Sequence, residues 1–344
     1  MTLQAHPDSS RWFAGVALSL AIVAIVVSIR WWIRGEHSGG EGIDPNPAAF
    51  VAEGRVSMDR AFAIPAAGAG TAPERRDVWV RVYEHEFGAC AEVVCDGKRL
   101  LALRGHRLVI LDKPPLFGDD IDFYPGMHDA FASDSPEPPK STETPSTSAT
   151  DVTGGGVPEV LMAEWTGGMN CCLNVYICQV WPAFRVQRIE AMHSEMGMFM
   201  QADDDPALEV RVGDSSLWYW RTAGSHCSGI DYVLKFNGTA WEPSADLMRR
   251  PLPSDEELHE MEDAWAKWQR QPDGDWIGEG TAPWFDMLDL VYSGHASQAW
   301  SMLDRVWPSD AASKVEFRRD MLERLRRGPA WKALAELNGA SLDA

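Results

Sequence analysis

The sequence predicts a single N-terminal transmembrane helix, then a mainly-β ectodomain built as an antiparallel sandwich or partial barrel, then a small C-terminal α-helical domain. Three observations predict it. No charge falls between Arg11 and Arg30; short strand-like runs in the middle of the chain are punctuated by Asp96-Gly97 and Asn237-Gly238; and at Ser254 the apolar spacing becomes helical.

The anchor comes first. Phe13, Val16, Leu18, Leu20, Ile22, Val23, Ile25, Val26, Val27 and Ile29 crowd one uncharged stretch, and about 20 residues suffice for one bilayer crossing. Their insertion gains on the order of 3 to 6 kcal/mol. Trp12, Trp31 and Trp32 stand at its two ends, where amphipathic rings settle among headgroups. A cleaved signal peptide would have a shorter core and a small-residue cleavage site; here the core runs into Arg30-Trp31-Trp32-Ile33-Arg34. The expected organisation is a cytoplasmic tail (1–11), an anchor in the lipid (12–33), a flexible tether (34–76) with a short helix around Ala48 to Ala61, a first β unit (77–132), a disordered Ser/Thr/Pro loop (133–150), a second β unit (151–252) and a helical domain (254–344).

In the first β unit the strands are read at Val78 to Tyr83, Ala91 to Cys95, Leu100 to Leu103 and Arg107 to Leu111. Asp96-Gly97 makes a hairpin turn, because a tight turn of that hand needs positive φ at both central positions. In the second unit the runs are Val157 to Glu164, Leu173 to Val180, Arg185 to Ile189, Leu208 to Val212, Leu217 to Trp220, Tyr232 to Phe236 and Thr239 to Trp241. Strands at this spacing without intervening helices predict antiparallel sheets. Trp218 and Trp220 fall on one face of their run. Ser254 and Glu257 form a capping box leading into Leu258, Met261, Trp265 and Trp268 on one helix face. Further helices are expected from Pro283 to Pro308 with a break at Gly294, from Asp310 to Arg327, and from Ala330 to Asn338.

A formal net charge of −20, from 51 acidic and 31 basic residues, argues against nucleic acid or an anionic lipid surface as a partner. The chemistry-bearing residues are few. Cys90, Cys95, Cys171, Cys172, Cys178 and Cys227 form an even set, which in an exported chain predicts disulfides. Cys171 and Cys172 are neighbours on opposite strand faces, so Cys227 is the natural cross-strand partner for one of them. Zinc on His193, His226 and cysteines lacks the usual C-x₂-C or His spacing. No nucleophile elbow, H-E-x-x-H or phosphate-cradling glycine loop occurs, so no catalytic residue and no cofactor is expected.

Asp151-Val-Thr-Gly-Gly-Gly-Val-Pro-Glu159, with Trp165-Thr-Gly-Gly-Met-Asn-Cys-Cys172 after it, resembles bacterial extracytoplasmic proteins with degenerate FG-GAP or VCBS-like segments, the repeat of integrin-like propellers. Ala202-Asp203-Asp204-Asp205-Pro206-Ala207-Leu208-Glu209 resembles a second, more eroded copy. Intact loops of that kind hold Ca²⁺, a hard cation that takes six to eight oxygens. The resemblance therefore implies a Ca²⁺ loop, but Gly154, Gly155 and Gly156 stand where acidic ligands belong in the first copy. In the second, Asp203, Asp205 and Glu209 are the weak Ca²⁺ candidates. Two copies do not close a propeller.

These readings converge on a bacterial inner-membrane protein, single-pass, with the bulk of the chain periplasmic. It holds the bilayer through residues 12–33 and serves as an interaction or scaffold protein with a protein partner, for example as an accessory subunit of a membrane or envelope complex. The competing expectation is an envelope hydrolase using Cys171 with His193 or His226, or a metal centred on His226.

Overall fold

A computed structural model describes residues 55–66, 74–85, 88–111, 114, 149–168, 171–192, 198–223, 227, 229–270, 276–307 and 311–343. The expected anchor with Trp12, Trp31 and Trp32, the start of the tether and residues 133–148 lie outside the described residues. Among the described residues no helix is long and apolar enough to cross a membrane. The chain is mainly β, in antiparallel sheets, with helices toward its C-terminus.

The first sheet is a meander of β1 (Arg55–Ala66), β2 (Glu74–His85), β3 (Gly88–Cys95) and β4 (Lys98–Gly105). Strand β1 corrects the expectation of a tether to residue 76 with a short helix over Ala48 to Ala61. Its alternation is carried by Met58, Phe62 and Ile64, the last two 2% and 0% exposed. The Ala-, Gly- and Pro-rich flanks hide that period of two in the sequence. On the other face, Asp59 lies opposite Arg81 and pairs with it at 3.3 Å.

Strand β4 leads almost directly into β5 (Arg107–Leu111), which leaves the first sheet and joins β6 (Val160–Gly168), β7 (Cys171–Gln179) and β8 (Arg185–Met192) in a second. Gly105 marks the corner, since a Cβ there would lie 2.4 Å from Glu164 Oε1. The first β unit, expected to run from residue 77 to 132, therefore gives way to the second sheet between β4 and β5. The second sheet is covered on both faces. Leu108, Ile110, Val160, Met162, Tyr176 and Cys178 face the first sheet, together with Val78, Val80, Val82, Val93 and Leu103. Val109, Leu161, Ala163, Val175, Ile177 and Ile189 face the other way. Alternate side chains leave opposite faces of a strand, so a doubly covered sheet reads as continuous apolar runs such as Val160-Leu161-Met162-Ala163.

Beyond that second face lie β9 (Phe199–Met200), β10 (Glu209–Asp214), β11 (Ile230–Phe236) and β12 (Trp241–Pro243), which form the third sheet. Residues 217–220 are a turn rather than the expected strand: Tyr219 and Arg221 both take φ +55°. Trp220 is thereby turned into the core at 3% exposure while Tyr219 stays 61% exposed.

The helices follow: α1 (Ala245–Met248), α2 (Asp255–Trp265), α3 (Trp284–Tyr292), α4 (Ala296–Val306), α5 (Ala311–Leu325) and α6 (Trp331–Asn338), closed by a 3₁₀ turn over Gly339–Leu342. The capping box is as read, Glu257 N bonded to Ser254 Oγ and Ser254 N to the Glu257 carboxylate. Trp268 departs from expectation, lying in β13 (Trp268–Arg270), which pairs with β14 (Trp276–Gly278). The helices share one apolar core with the second and third sheets, centred on Trp284 at 0% exposure. The Trp284 ring meets those of Trp220, Trp265, Trp268, Trp276 and Phe317 at centroid separations of 5.7 to 6.3 Å. Aromatic edge-to-face pairs at such distances add to burial.

Candidate functional site

Two loops of matching design lie side by side between the second and third sheets. The first opens at Asp151 and closes at Glu159, held by an antiparallel bridge from Thr150 to Glu159. The second opens at Gln201 and closes at Glu209, with the same sequence spacing. In each, the closing glutamate is buried, at 1% and 0% exposure, and reaches back to the backbone N–H just after the opening residue. Val152 N–H donates to Glu159 at 2.9 Å and Ala202 N–H donates to Glu209 at 2.7 Å. A backbone bond of 2.9 Å from Leu208 N–H to Val152 O joins the two loops.

In both loops aspartate carboxylates accept backbone N–H groups, in the second Asp203 from Asp205 and Asp205 from Ala207 at 2.9 Å each, and the loops differ in the further donors that the second one draws in. In the first, Asp151 turns its carboxylate inward and accepts the N–H groups of Gly155 at 3.0 Å and Gly156 at 2.6 Å. Backbone N–H groups thus occupy the carboxylate oxygens of that loop. Gly154 holds φ +70°, and a Cβ there would fall 2.7 Å from Ala207 N; the adjoining loop requires glycine.

In the second loop the acceptors point inward. Gln201 Nε2 donates to the carbonyls of Asp203 at 2.7 Å and Asp205 at 2.6 Å. Asp203, Asp205 and Glu209 offer carboxylate oxygens within 4.8 Å of one another. The three weak Ca²⁺ candidates are thus brought together. Glu209 Oε1 is buried without a hydrogen-bond partner among the described residues. Strand β11, however, sends Lys235 to the same place: its Nζ meets Asp205 Oδ2 at 2.8 Å and also the Asp203 carboxylate. That contact holds Asp203 below the usual carboxylate range and raises Lys235. An ammonium bound to two of the three carboxylates does not fit a divalent ion in the same space.

Sequence reasoning missed Lys235 and Gln201. Gln201 becomes visible once the two copies are aligned on their closing glutamates. Lys235 carries no such signal, since its arrival depends on the pairing of β10 with β11.

Among the described residues the expected disulfides do not form at Cys90, Cys95, Cys178 or Cys227. Register explains three of them: Cys90 lies opposite Tyr83 and Arg104, Cys95 opposite Val78 and Lys98, and Cys178 opposite Val160 and Val186. Cys227 sits in the turn region instead, its Sγ 3.4 Å from Tyr219 N. Burial pushes the Cys178 thiol up to about 12 and raises Cys227 as well, the reverse of an activated nucleophile. Cys171 and Cys172 supply backbone to β7 while their side chains, with His193 and His226, lie outside the described residues.

A groove of about 640 Å³ opens elsewhere, between the Arg250–Pro253 segment, α2 and α3. Glu257, Glu260, Asp286 and Asp289 line it against Arg250, which is bonded to Asp289 at 2.6 Å. Burial, and secondarily Asp289, raises the Asp286 carboxyl.

Comparison with known proteins adds no relative: no protein-family model, curated protein or solved structure matches this chain.

Proposed function

We propose that this chain is a non-catalytic interaction protein, held in a bacterial inner membrane by residues 12–33, whose body works on the periplasmic side. The anchor reading rests on the uncharged apolar stretch between Arg11 and Arg30. The interaction reading rests on one observation, the carboxylate-lined groove beside Pro251-Leu252-Pro253, in which Leu252 is 44% exposed. Four carboxylates against one guanidinium favour a partner segment that carries Lys or Arg next to an apolar side chain, since opposite potentials steer encounter and fix register.

The test uses full-length protein extracted in detergent from its native cell after cross-linking. Chains that co-purify with the wild type are compared with those captured by an Asp286→Lys, Glu260→Lys double variant. Loss of a basic-segment partner from the variant, at unchanged unfolding temperature, is the expected result. Identical capture by both proteins removes the groove from the proposal. Protease treatment of intact spheroplasts tests the location: the body should be cut, and protection overturns the periplasmic assignment.

A further inference from the structure

The second loop divides among its own side chains the work that a bound cation would do. Its inward carbonyls, those of Asp203 and Asp205, are met by the Gln201 amide at 2.7 and 2.6 Å. Its carboxylates, Asp203 and Asp205, are met by Lys235 Nζ. Carboxylates this close repel one another unless a positive charge lies between them. The ammonium is supplied by the neighbouring strand and needs no uptake from solution.

Glu209 completes the set without being paid off by Lys235. It is 0% exposed, its Oε2 accepts the Ala202 N–H at 2.7 Å, and its Oε1 has no hydrogen-bond partner among the described residues. With the ammonium gone, three carboxylates would remain within 4.8 Å, one with a buried oxygen ready to accept, beside carbonyl oxygens. That is a hard-cation donor set.

We infer that Lys235 is a tethered cation that permanently replaces a divalent ion in the Gln201–Glu209 loop, so that the loop is ion-independent and its removal exposes a latent divalent-cation site. Both loops close through carboxylates that accept backbone N–H groups, and the second adds the Gln201 amide and the Lys235 ammonium.

Thermal unfolding and Tb³⁺ luminescence of the full-length protein in detergent, with Ca²⁺ or with chelator, test it. Wild-type protein should unfold at the same temperature in both and bind Tb³⁺ only weakly at this loop. Lys235→Met should unfold earlier in chelator, recover with Ca²⁺, and bind the ion about tenfold or more tighter than wild type, the scale of removing one charge at contact distance. Adding Asp203→Asn should abolish the recovery, whereas Lys235→Arg should behave as wild type. Stoichiometric Ca²⁺ binding by the wild-type loop, with a raised unfolding temperature that Asp203→Asn removes, overturns the inference; so does a folded Lys235→Met protein that does not respond to Ca²⁺. Should Lys235→Met fail to fold, Lys235→Gln takes its place and the wild-type titration is judged by the same two outcomes.

Discussion

Tyr292 donates its hydroxyl hydrogen to the Asp214 carboxylate across 2.6 Å, and both residues are buried. The bond joins the end of β10 to the end of α3 through the shared core. Asp214 also accepts the Ser216 N–H at 2.7 Å, and burial, with the Asp214 charge second, holds the Tyr292 phenol well above its ordinary range. Tyr292→Phe keeps the ring and removes the donor. Its expected cost is about 1 to 3 kcal/mol, the range for leaving a buried charged acceptor short of a partner. Urea denaturation monitored by tryptophan fluorescence checks it; an unchanged midpoint refutes the tie.

Trp284 stands at the centre of the aromatic cluster, with Trp220 held against it and fixed by an indole N–H bond of 2.7 Å to Asp320 on α5. Trp284→Ala should cost about 3 to 5 kcal/mol, because the surrounding rings are too rigid to fill the space. Trp220→Phe keeps part of the packing and loses the hydrogen bond, so a smaller loss is expected. The same denaturation experiment ranks the two, and the reverse order would place the centre of the core elsewhere.

The paired loops give a comparison between neighbouring glycines. Gly154 and Gly156 both have positive φ, but only at Gly154 would a Cβ meet the backbone of the other loop; at Gly156 nothing among the described residues lies within 4 Å. Gly156→Ala should therefore cost about 1 kcal/mol from conformation alone. Gly154→Ala should cost roughly 1 to 3 kcal/mol more by forcing the loops apart. Equal effects on the unfolding midpoint would show that the loops do not depend on that approach.

Two acidic groups shift in opposite directions, and their pH windows separate them. Burial raises Glu159 above its ordinary 4.5, against the hydrogen bonds from Thr153 and Val152. The folded chain then binds this proton more tightly than the unfolded one, so stability declines as pH rises from 4.5 through the folded value. Glu159→Gln should flatten that slope. Asp203 is lowered from 3.8, chiefly by Lys235, so its contribution is present above 3.8 and fades as pH falls through the folded value. Lys235 is raised from 10.5, so its contribution is complete below 10.5 and fades as pH climbs through the folded value. Lys235→Met should remove both outer limbs and leave the Glu159 slope intact, as measured by denaturant midpoints across the pH range.

Much of the architecture was legible before any coordinates. Asp96-Gly97 and Asn237-Gly238 marked turns because their backbone demands are local, and Ser254 with Glu257 marked a helix start because a capping box closes within one turn. The helix break at Gly294 was equally local. Errors came where a distant element decided the outcome. Strand β1 was hidden because only Met58, Phe62 and Ile64 carry its period, and its partner β2 lies beyond a stretch rich in Ala and Gly. Trp268 has helical spacing from Trp265, but its pairing with β14 prevails. The Trp218 to Trp220 run has strand composition, yet the aromatic cluster draws Trp220 inward through a turn.

The candidate site shows the same division. Asp203, Asp205 and Glu209 were nameable from spacing along one loop. Lys235 was not, because the hydrogen-bonding register between β10 and β11 carries it to them.

By itself the sequence determined the local events: the uncharged N-terminal stretch, the hairpin turns, the capping box and the acidic loop, each written within a few consecutive residues. Tertiary structure alone decided that the second sheet is covered on both faces, that helices and sheets share one core around Trp284, and that an ammonium bridges Asp203 and Asp205. These depend on which strands pair and in what register, and contacts between residues far apart in the chain leave no mark on the neighbours of either one.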